Sequence, residues 1–181
     1  MSLVTPHTWT AGETVTAAKL ATGSDGITQL QGGAPAAGAL DFAQLIQIVA
    51  QSLTNVTWTA VTFTSEGVDA AGGHSNVTNP SRYTAAHTGW YQVNGGVAFA
   101  FNATGVRACR LAVNGTALAG MSRDAAAVLV YGNAVTISRL VYLTAGQYIE
   151  LQAFQSSGGA LNTSYVADND QSFLELRWCH S

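Results

Sequence analysis

The chain has 181 residues, enough for one domain and an extension, and 48% of them are hydrophobic, so it can build a packed core. Charged residues make up only 9%, against about 25% in an average soluble domain, and the formal net charge is -3, with Lys19 as the single lysine. No cluster of basic residues and no apolar run of about 18 residues is present, which excludes a nucleic-acid-binding protein and a transmembrane protein.

Residues 1–40 carry only weak structural signals. The segment TWTAGETVTAAKL begins like a strand, turns, and then predicts a single helical turn from Thr16, which is a suitable cap, to Leu20. Residues 21–40 are rich in Gly and Ala and cannot build a core. Two interpretations fit this region: a disordered leader, or a docking peptide that folds against a partner.

Residues 41–53 give the only convincing helical pattern. Asp41 can cap this helix, Gln44 completes a pair like a capping box, and Ala, Gln, Leu and Ile fill its body. An apolar stripe at helical spacing contains Phe42, Leu45, Ile46, Val49 and Leu53. Such a helix either packs on its own sheet or forms a short parallel bundle with copies of itself, and we favour the bundle.

From residue 55 onward the chain reads as strands and turns. Residues 82–113 predict two long strands of an antiparallel sheet, joined by a short Asn/Gly turn at 102–105, because apolar residues alternate along both. Further alternating runs follow at AVTISRLVYL, YIELQAFQ and SFLELRWC. About eight to ten short strands with no helix between them predict an all-β antiparallel sandwich or jelly roll.

The sequence contains no enzyme signature, and we expect neither catalysis nor a cofactor. The four histidines are scattered and lack metal-ligand spacing. Asp168 and Asp170 are weak candidates for calcium ligands, but a solvated turn explains them better. Two cysteines without a secretory signal, Cys109 and Cys179, are expected to be unpaired thiols.

Two motifs resemble one family. Tyr83, five further residues and then Gly-Trp-Tyr-Gln-Val resemble the aromatic-x5-Gly-x-Tyr-x-apolar signature of complement globular-head and tumour-necrosis-factor-like jelly rolls. Residues 143–151, LTAGQYIEL, resemble that family's Leu-x-x-Gly-Asp-x-Val-x-Leu segment. The chain departs from the family at one position of each motif: Val93 replaces the usual Phe in the first, and Gln147 replaces the usual Asp in the second. The resemblance covers about residues 55–180 and implies a jelly roll assembled as a tight homotrimer.

The N-terminal TWTAGETVTAAKL is similar to the openings of virion fibre and minor tail proteins of tailed bacteriophages. This resemblance implies attachment to a capsid or tail protein through Trp9, Val15, Lys19 and Leu20. The implied plan is an attachment arm and linker over 1–40, a helical stalk over 41–53 and a trimeric knob over 54–181. A virion location also agrees with the absence of a secretory signal at the N-terminus.

Several strands are partly apolar on both faces, which predicts burial on both sides, as a trimer interface would supply. The predicted interface residues are Phe42, Leu45, Ile46, Val49, Tyr148 and Phe154. A host-surface glycan is a candidate second partner, held by loops that the sequence does not identify. The alternative function is a stand-alone carbohydrate-binding module or lectin with no assembly role.

Overall fold

The computed structural model describes residues 41–126, 133–165 and 170–180. The predicted attachment residues Trp9, Val15, Lys19 and Leu20 lie outside this part of the chain, as does Asp168. Within these ranges, no helix combines the length and the hydropathy that crossing a membrane requires.

The described residues form thirteen strands and no helix, and all the strand pairs are antiparallel. In chain order the strands are β1 (Phe42–Ile46), β2 (Ser52–Leu53), β3 (Thr59–Ala60), β4 (Ser65–Asp69), β5 (Arg82–Thr84), β6 (Gly89–Phe99), β7 (Val106–Val113), β8 (Thr116–Ala117), β9 (Ser122–Ala125), β10 (Asn133–Leu143), β11 (Tyr148–Gln155), β12 (Leu161–Asn162) and β13 (Phe173–His180). The prediction of an all-β antiparallel architecture is therefore confirmed.

Two sheets face each other across one core. Sheet I has the strand order β10-β6-β13-β1-β4. Sheet II has the order β3-β11-β7-β8, with β5 also paired to β11 and β9 to β7, while β2 pairs separately with β12. Fully buried side chains meet between the sheets: Leu45, Tyr91, Val93 and Leu174 from sheet I, and Leu111, Ile149 and Leu151 from sheet II.

Strand β6 shows how the sequence creates this core. Its inward side chains, such as Tyr91 and Val93, are fully buried, whereas the residues between them face the opposite side of sheet I. Gly95 occupies an inward position, where a Cβ atom would lie 2.8 Å from Leu151 Cδ1 of sheet II. A glycine at this position therefore lets the two sheets approach closely.

The prediction of a helix over 41–53 is wrong. Residues Phe42–Ile46 form β1, which pairs with β13 on one side and with β4 on the other. The alternation of period two puts Ala43 and Leu45 into the core and the residues between them on the outer face. The helix propensity of residues such as Ala, Leu and Gln is only a weak local preference. The pairing of β1 with β13 and with β4 overrides that preference here.

Asp41 does not cap a helix either, because its buried carboxylate fastens β1 to the rest of the sandwich. The hydroxyls of Tyr83 and Tyr91 both donate hydrogen bonds to it, and the Ala86 amide donates a third at 3.0 Å. The Asp41 carbonyl oxygen accepts from the Trp178 amide at 2.7 Å. The start of β1 is thus tied to β5, β6 and β13.

The two strands predicted within residues 82–113 exist as β6 and β7, but they are not neighbours in one sheet. Strand β6 pairs with β10 and β13, and β7 pairs with β11, so residues 100–105 cross from sheet I to sheet II. The buried guanidinium of Arg107 holds this crossing by donating to the carbonyl oxygens of Asn102, Thr104 and Val106 at 2.9–3.0 Å. The apolar side of β6 therefore packs against sheet II, and the apolar side of β7 packs against sheet I. Two neighbouring strands of a single sheet could not pack against each other in this way.

Candidate functional site: the outer face of sheet I

Exposed apolar side chains lie on the outer face of sheet I, near its β10 edge. The antiparallel register places Trp90 of β6 opposite Tyr142 of β10, and Leu140 two residues along. Their exposed fractions are 41%, 50% and 60%, respectively. The rings of Trp90 and Tyr142 meet edge to face with their centroids 5.5 Å apart. We call Trp90, Leu140 and Tyr142 the aromatic ridge.

A band of hydrogen-bonded, mostly uncharged polar groups runs beside the aromatic ridge. Gln92 Nε2 donates to Ser138 Oγ at 3.0 Å, and Ser138 Oγ donates to Asn94 Oδ1 at 2.8 Å. Farther across the sheet, Gln44 Nε2 donates to Glu175 Oε1 at 2.8 Å. These mutual bonds hold the polar side chains in place, because neighbouring groups satisfy one another.

A groove of about 550 Å³ lies on the same face, and its lining comes from β1, β4, β6 and β13. Its lining includes Phe42, Gln44, Val68, Gln92, Glu175 and Arg177. The lining combines apolar side chains such as Phe42 of β1 and Val68 of β4 with polar side chains from β1, β6 and β13. The groove therefore offers an apolar wall together with hydrogen-bonding groups, which suits a protein surface better than a small ion.

Charge is sparse on this face. Among the residues that line the groove, the charged side chains are Glu175 and Arg177, two positions apart on the outward side of β13. Depletion of charge together with exposed aromatic and aliphatic side chains is typical of the central part of a protein–protein interface. The outer face of sheet I thus has the chemistry of an assembly surface.

The predicted interface residues of the first strand divide between this face and the core. Phe42 and Ile46 are half-buried and lie on the outward phase of β1. Leu45 is fully buried in the core of a single chain, so the prediction that it contacts a neighbouring copy is wrong. Val49 follows β1 outside the strand and is 61% exposed.

The other two predicted interface residues, Tyr148 and Phe154, lie on the opposite side of the molecule. Both face outward from β11 of sheet II. The guanidinium of Arg82 sits 4.0 Å from the centre of the Tyr148 ring, and Phe154 packs against Trp58 with centroids 5.2 Å apart. The predicted set is therefore spread over two faces and does not form one surface.

The sequence reasoning missed Trp90 and Leu140 as surface residues, although a signal was present. Leu140 and Tyr142 alternate with the inward-facing Val141 and Leu143, so this end of β10 is apolar on both faces. Trp90 stands in the same relation to the buried Tyr91. A strand that is apolar in both phases predicts burial on both sides, and the exposed phase marks the free surface.

Within residues 41–126, 133–165 and 170–180, no group of three or more His, Cys, Asp or Glu side chains comes together in a way that could hold a metal ion. Asp170 is half-buried, and its predicted partner Asp168 is not described. Cys109 is buried and free, and its burial raises the pKa of the thiol to about 12, so the thiol lacks the activation that a nucleophile needs.

Comparison with known proteins identifies the fold. No protein-family model and no curated protein matches the chain. Among solved structures, the chain is similar to the globular domain of zebrafish complement 1qA protein, with a TM-score of 0.58, 11% identity and coverage of 77% of this chain and 98% of that one. It is also similar to Eiger TNF from S. frugiperda, with a TM-score of 0.58, 12% identity and coverage of 78% and 94%.

A third similar structure is murine APRIL at pH 5.0, with a TM-score of 0.59, 13% identity and coverage of 77% of this chain and 99% of that one. Identities this low establish the fold and nothing further. The described residues thus adopt a jelly roll of the complement 1q and tumour-necrosis-factor type, which confirms the fold that the two sequence motifs implied.

Proposed function

We propose that this chain is a structural subunit that assembles as a homotrimer through the outer face of sheet I. We further propose that the trimer is a non-catalytic appendage on the virion of a tailed bacteriophage, anchored by residues 1–40. The observation that carries the assembly step is the aromatic ridge, whose large apolar side chains stay 41–60% exposed on an otherwise hydrogen-bonded sheet. Covering a side chain such as Leu140 contributes about 1.5–3 kcal/mol when burial is complete.

The position of the ridge and the groove supports a cyclic arrangement. The ridge follows the β10 edge of sheet I, and the groove lies toward β1 and β4 at the other side of the same sheet. In a cyclic assembly one surface of each copy contacts a different surface of the next copy. We expect the ridge of one subunit to lie in or beside the groove of its neighbour, where Gln92, Asn94 and Glu175 supply polar contacts.

The virion location rests on the sequence. The segment TWTAGETVTAAKL resembles attachment segments of phage fibre and minor tail proteins, and a Gly/Ala-rich stretch follows it. A short docking peptide, a linker and a compact domain together form a plan that suits a displayed appendage. The proposed contacts with a capsid or tail protein are made by Trp9, Val15, Lys19 and Leu20.

The solution mass of the full chain, measured by light scattering after size exclusion, tests the assembly step. We expect three times the chain mass for the wild type and a single-chain mass for Leu140→Asp, which places a charge in the ridge. Val77→Asp is the matched control because Val77 is 89% exposed in the loop between β4 and β5 and belongs to neither the ridge nor the groove, so this variant should stay trimeric. A monomeric wild type contradicts the trimer, and a trimeric Leu140→Asp contradicts the proposed surface.

Incorporation into particles tests the virion step. The full chain and a Trp9→Ala/Leu20→Ala variant are each supplied during growth of a tailed phage that encodes the chain, and copies per purified particle are counted by mass spectrometry. We expect the wild type to co-purify and the variant to be lost from particles while its solution mass stays trimeric. Equal incorporation of both proteins contradicts attachment through these residues, and absence of the wild type from particles contradicts the virion location.

A second candidate function, a glycan-binding module, is favoured by one feature of sheet II. On its outer face, Arg110 lies 4.1 Å from the centre of the Trp58 ring, which also contacts Phe154, while Arg82 covers Tyr148. Aromatic rings beside hydrogen-bond donors form a usual lining for ligand sites. Glycan titration of the wild type and of Trp58→Ala, together with the solution mass, tests this function. Saturable binding by a monomer that Trp58→Ala abolishes supports the stand-alone module. Saturable binding by a trimer instead makes the glycan a second partner of the assembled protein.

A further inference from the structure

A polar cavity of about 280 Å³ is lined by the loop that joins β4 to β5 and by the outer face of sheet II. The loop contributes residues 72–75, 78 and 79, and the sheet contributes Arg82, Thr84 and Tyr148. The pairing of Tyr148 with Thr84 places these two side chains next to each other on one side of the sheet. The cavity is therefore formed where the loop meets β5 and β11.

Hydrogen bonds to the backbone hold the loop wall of this cavity in place. The carboxylate of Asp69 accepts the amides of Gly73 and His74 at 3.1 and 2.9 Å, and the Thr84 amide donates to the Gly73 carbonyl oxygen at 2.8 Å. A Cβ atom at Gly73 would lie 2.5 Å from the Thr84 carbonyl oxygen, so glycine lets the loop approach β5 closely. A wall that is ordered before binding spares a ligand the cost of ordering it.

Four polar side chains of the lining make no hydrogen bond to another group in the described part of the chain. They are the hydroxyls of Thr78, Thr84 and Tyr148 and the amide of Asn79. On the outer face of sheet I, by contrast, the polar side chains bond to one another. Hydroxyl and amide groups can both donate and accept. The cavity thus offers a ligand both kinds of hydrogen-bonding group.

The charges at the cavity favour a neutral ligand. Among the described residues, no aspartate or glutamate lines it, which disfavours a cation. The Arg82 guanidinium lies 4.0 Å from the centre of the Tyr148 ring, and its Nε donates to Glu150 Oε1 at 3.1 Å. A carboxylate therefore already balances the charge of Arg82. A neutral molecule with many hydroxyl groups fits this lining better than an anion does.

We propose that this cavity binds one neutral sugar residue of a glycan. A sugar ring carries neighbouring hydroxyl groups, each of which can donate and accept, and these match the free groups of the lining. The volume of about 280 Å³ lies just below the range of about 300–1,000 Å³ that drug-sized ligands occupy, so it suits a single ring. The inference rests on the glycan-binding candidate above, for which it names the binding loop and the ligand class.

The row of outward side chains on β11 separates this cavity from the other aromatic group of the same face. Tyr148 stands at one end of the row, and Phe154, which contacts Trp58, stands at the other. The rise of an antiparallel strand puts about 20 Å between these two ends. A single sugar in the cavity therefore does not reach Trp58, and the two places can be tested separately.

NMR titration of the full-length protein with the methyl glycosides of glucose, galactose, mannose and N-acetylglucosamine tests the site. We expect saturable binding of at least one of them, with shifts of the Gly72, Gly73, Asn79 and Thr84 amides and none in β6. The methyl glycoside of glucuronic acid tests the charge class and should bind no more tightly than that of glucose. Saturable binding by none of the four neutral sugars overturns the inference, and so does tighter binding of the acidic sugar.

The double variant Thr78→Val/Thr84→Val removes two of the free hydroxyls from the cavity. We expect the affinity for the neutral sugar to fall about tenfold or more, because two neutral hydrogen bonds are lost. Thr116→Val is the matched control, since Thr116 is an exposed threonine of β8 outside the cavity, and it should keep the wild-type affinity. A double variant that binds as tightly as the wild type overturns the inference.

Trp58→Ala distinguishes failure of the cavity from failure of the glycan-binding candidate. This variant should keep the binding of a single sugar, even where it weakens the binding of a longer glycan. Single-sugar binding that Trp58→Ala abolishes and Thr78→Val/Thr84→Val leaves unchanged would overturn the cavity and keep the glycan-binding candidate at Trp58. Absence of binding by the wild type to single sugars and to longer glycans would contradict both.

Discussion

At the scale of single residues, Asp41 is a buried polar anchor of the fold. The residue is 2% exposed, and its carboxylate accepts hydrogen bonds from two tyrosine hydroxyls and one backbone amide. The ring of His87 also lies nearby, with Nδ1 3.5 Å from Asp41 Oδ2. A buried carboxylate with this many donors is stabilised by them, and removing its acceptor capacity leaves those donors without a partner.

The substitution Asp41→Asn tests this anchor while nearly preserving shape. The new amide offers donors toward hydroxyls and an amide that already donate, so we expect a loss of about 2–4 kcal/mol in the free energy of unfolding. Urea unfolding of the variant and the wild type measures the difference. Asp124→Asn is the control because Asp124 is exposed, and its change should stay within about 0.5 kcal/mol. Equal losses in both variants would contradict the anchoring role.

At the scale of elements, the close approach of β6 and β11 sets the thickness of the core. Gly95 of β6 lies against Leu151 of β11, and an added Cβ atom would come within 2.8 Å of Leu151 Cδ1. On the outer side of the same strand, a Cβ atom at Gly96 would lie 2.4 Å from Phe173 Cε1. Two consecutive glycines thus let β6 be covered tightly on both faces, although glycine weakens an isolated strand.

We expect Gly95→Val to destabilise the fold by about 1–3 kcal/mol, because its side chain must displace Leu151 in a packed core. Gly159→Ala is a suitable control, since nothing lies within 4 Å of its new Cβ atom. That control should be neutral or slightly stabilising, because alanine restricts the unfolded chain. Thermal unfolding of the three proteins compares them, and a Gly95→Val protein as stable as the wild type would show that the sheets can separate at little cost.

Strand β1 is an element whose local sequence pattern and observed structure differ. Residues 42–46 satisfy a helical stripe and a strand alternation equally well, because Phe, Ala, Gln, Leu and Ile fit both periods over so short a segment. Pairing with β13 and β4 decides the outcome, since both partners are far away in sequence. The sequence of residues 41–53 alone therefore cannot predict which of the two structures these residues adopt.

At the scale of the whole molecule, three buried groups that can lose a proton, Tyr83, Tyr91 and Cys109, make the stability of the fold sensitive to alkaline pH. Burial, reinforced by hydrogen bonds with Asp41, raises the pKa of Tyr83 and of Tyr91 above the ordinary value of 10.0. Burial also raises the pKa of the Cys109 thiol from an ordinary value of 9.0 to about 12. Each group therefore holds its proton more tightly in the folded protein than in the unfolded chain.

The sign of the resulting pH dependence follows directly. These contributions are fully present below the unfolded values of 9.0 and 10.0, and they are lost as the pH rises toward the higher folded values. We expect the free energy of unfolding to fall by up to about 1.4 kcal/mol per pH unit for each ionising group. Urea titrations at a series of alkaline pH values measure this slope.

Cysteine variants separate the thiol from the two tyrosines. Cys109→Ala removes a buried acid and should make the alkaline slope shallower, although it also lowers the overall stability. Cys179→Ala removes an exposed thiol and should leave the slope unchanged. A stability that stays level up to about pH 12 would show that these groups are not protected in the folded protein.

The sequence by itself determined the fold class, because alternation of period two over many short segments demands sheets with one side buried, and two motifs pointed to the jelly-roll type. It also indicated that the chain has apolar surface beyond the needs of one core. Tertiary structure decided which surface that is. The alternation says which side chains share a face of a strand, but not which strands pair or which face is left uncovered. Only the pairing of β6 with β10 brings Trp90 beside Tyr142, and only the pairing of β1 with β13 and β4 turns a predicted stalk helix into a strand whose Leu45 lies in the core.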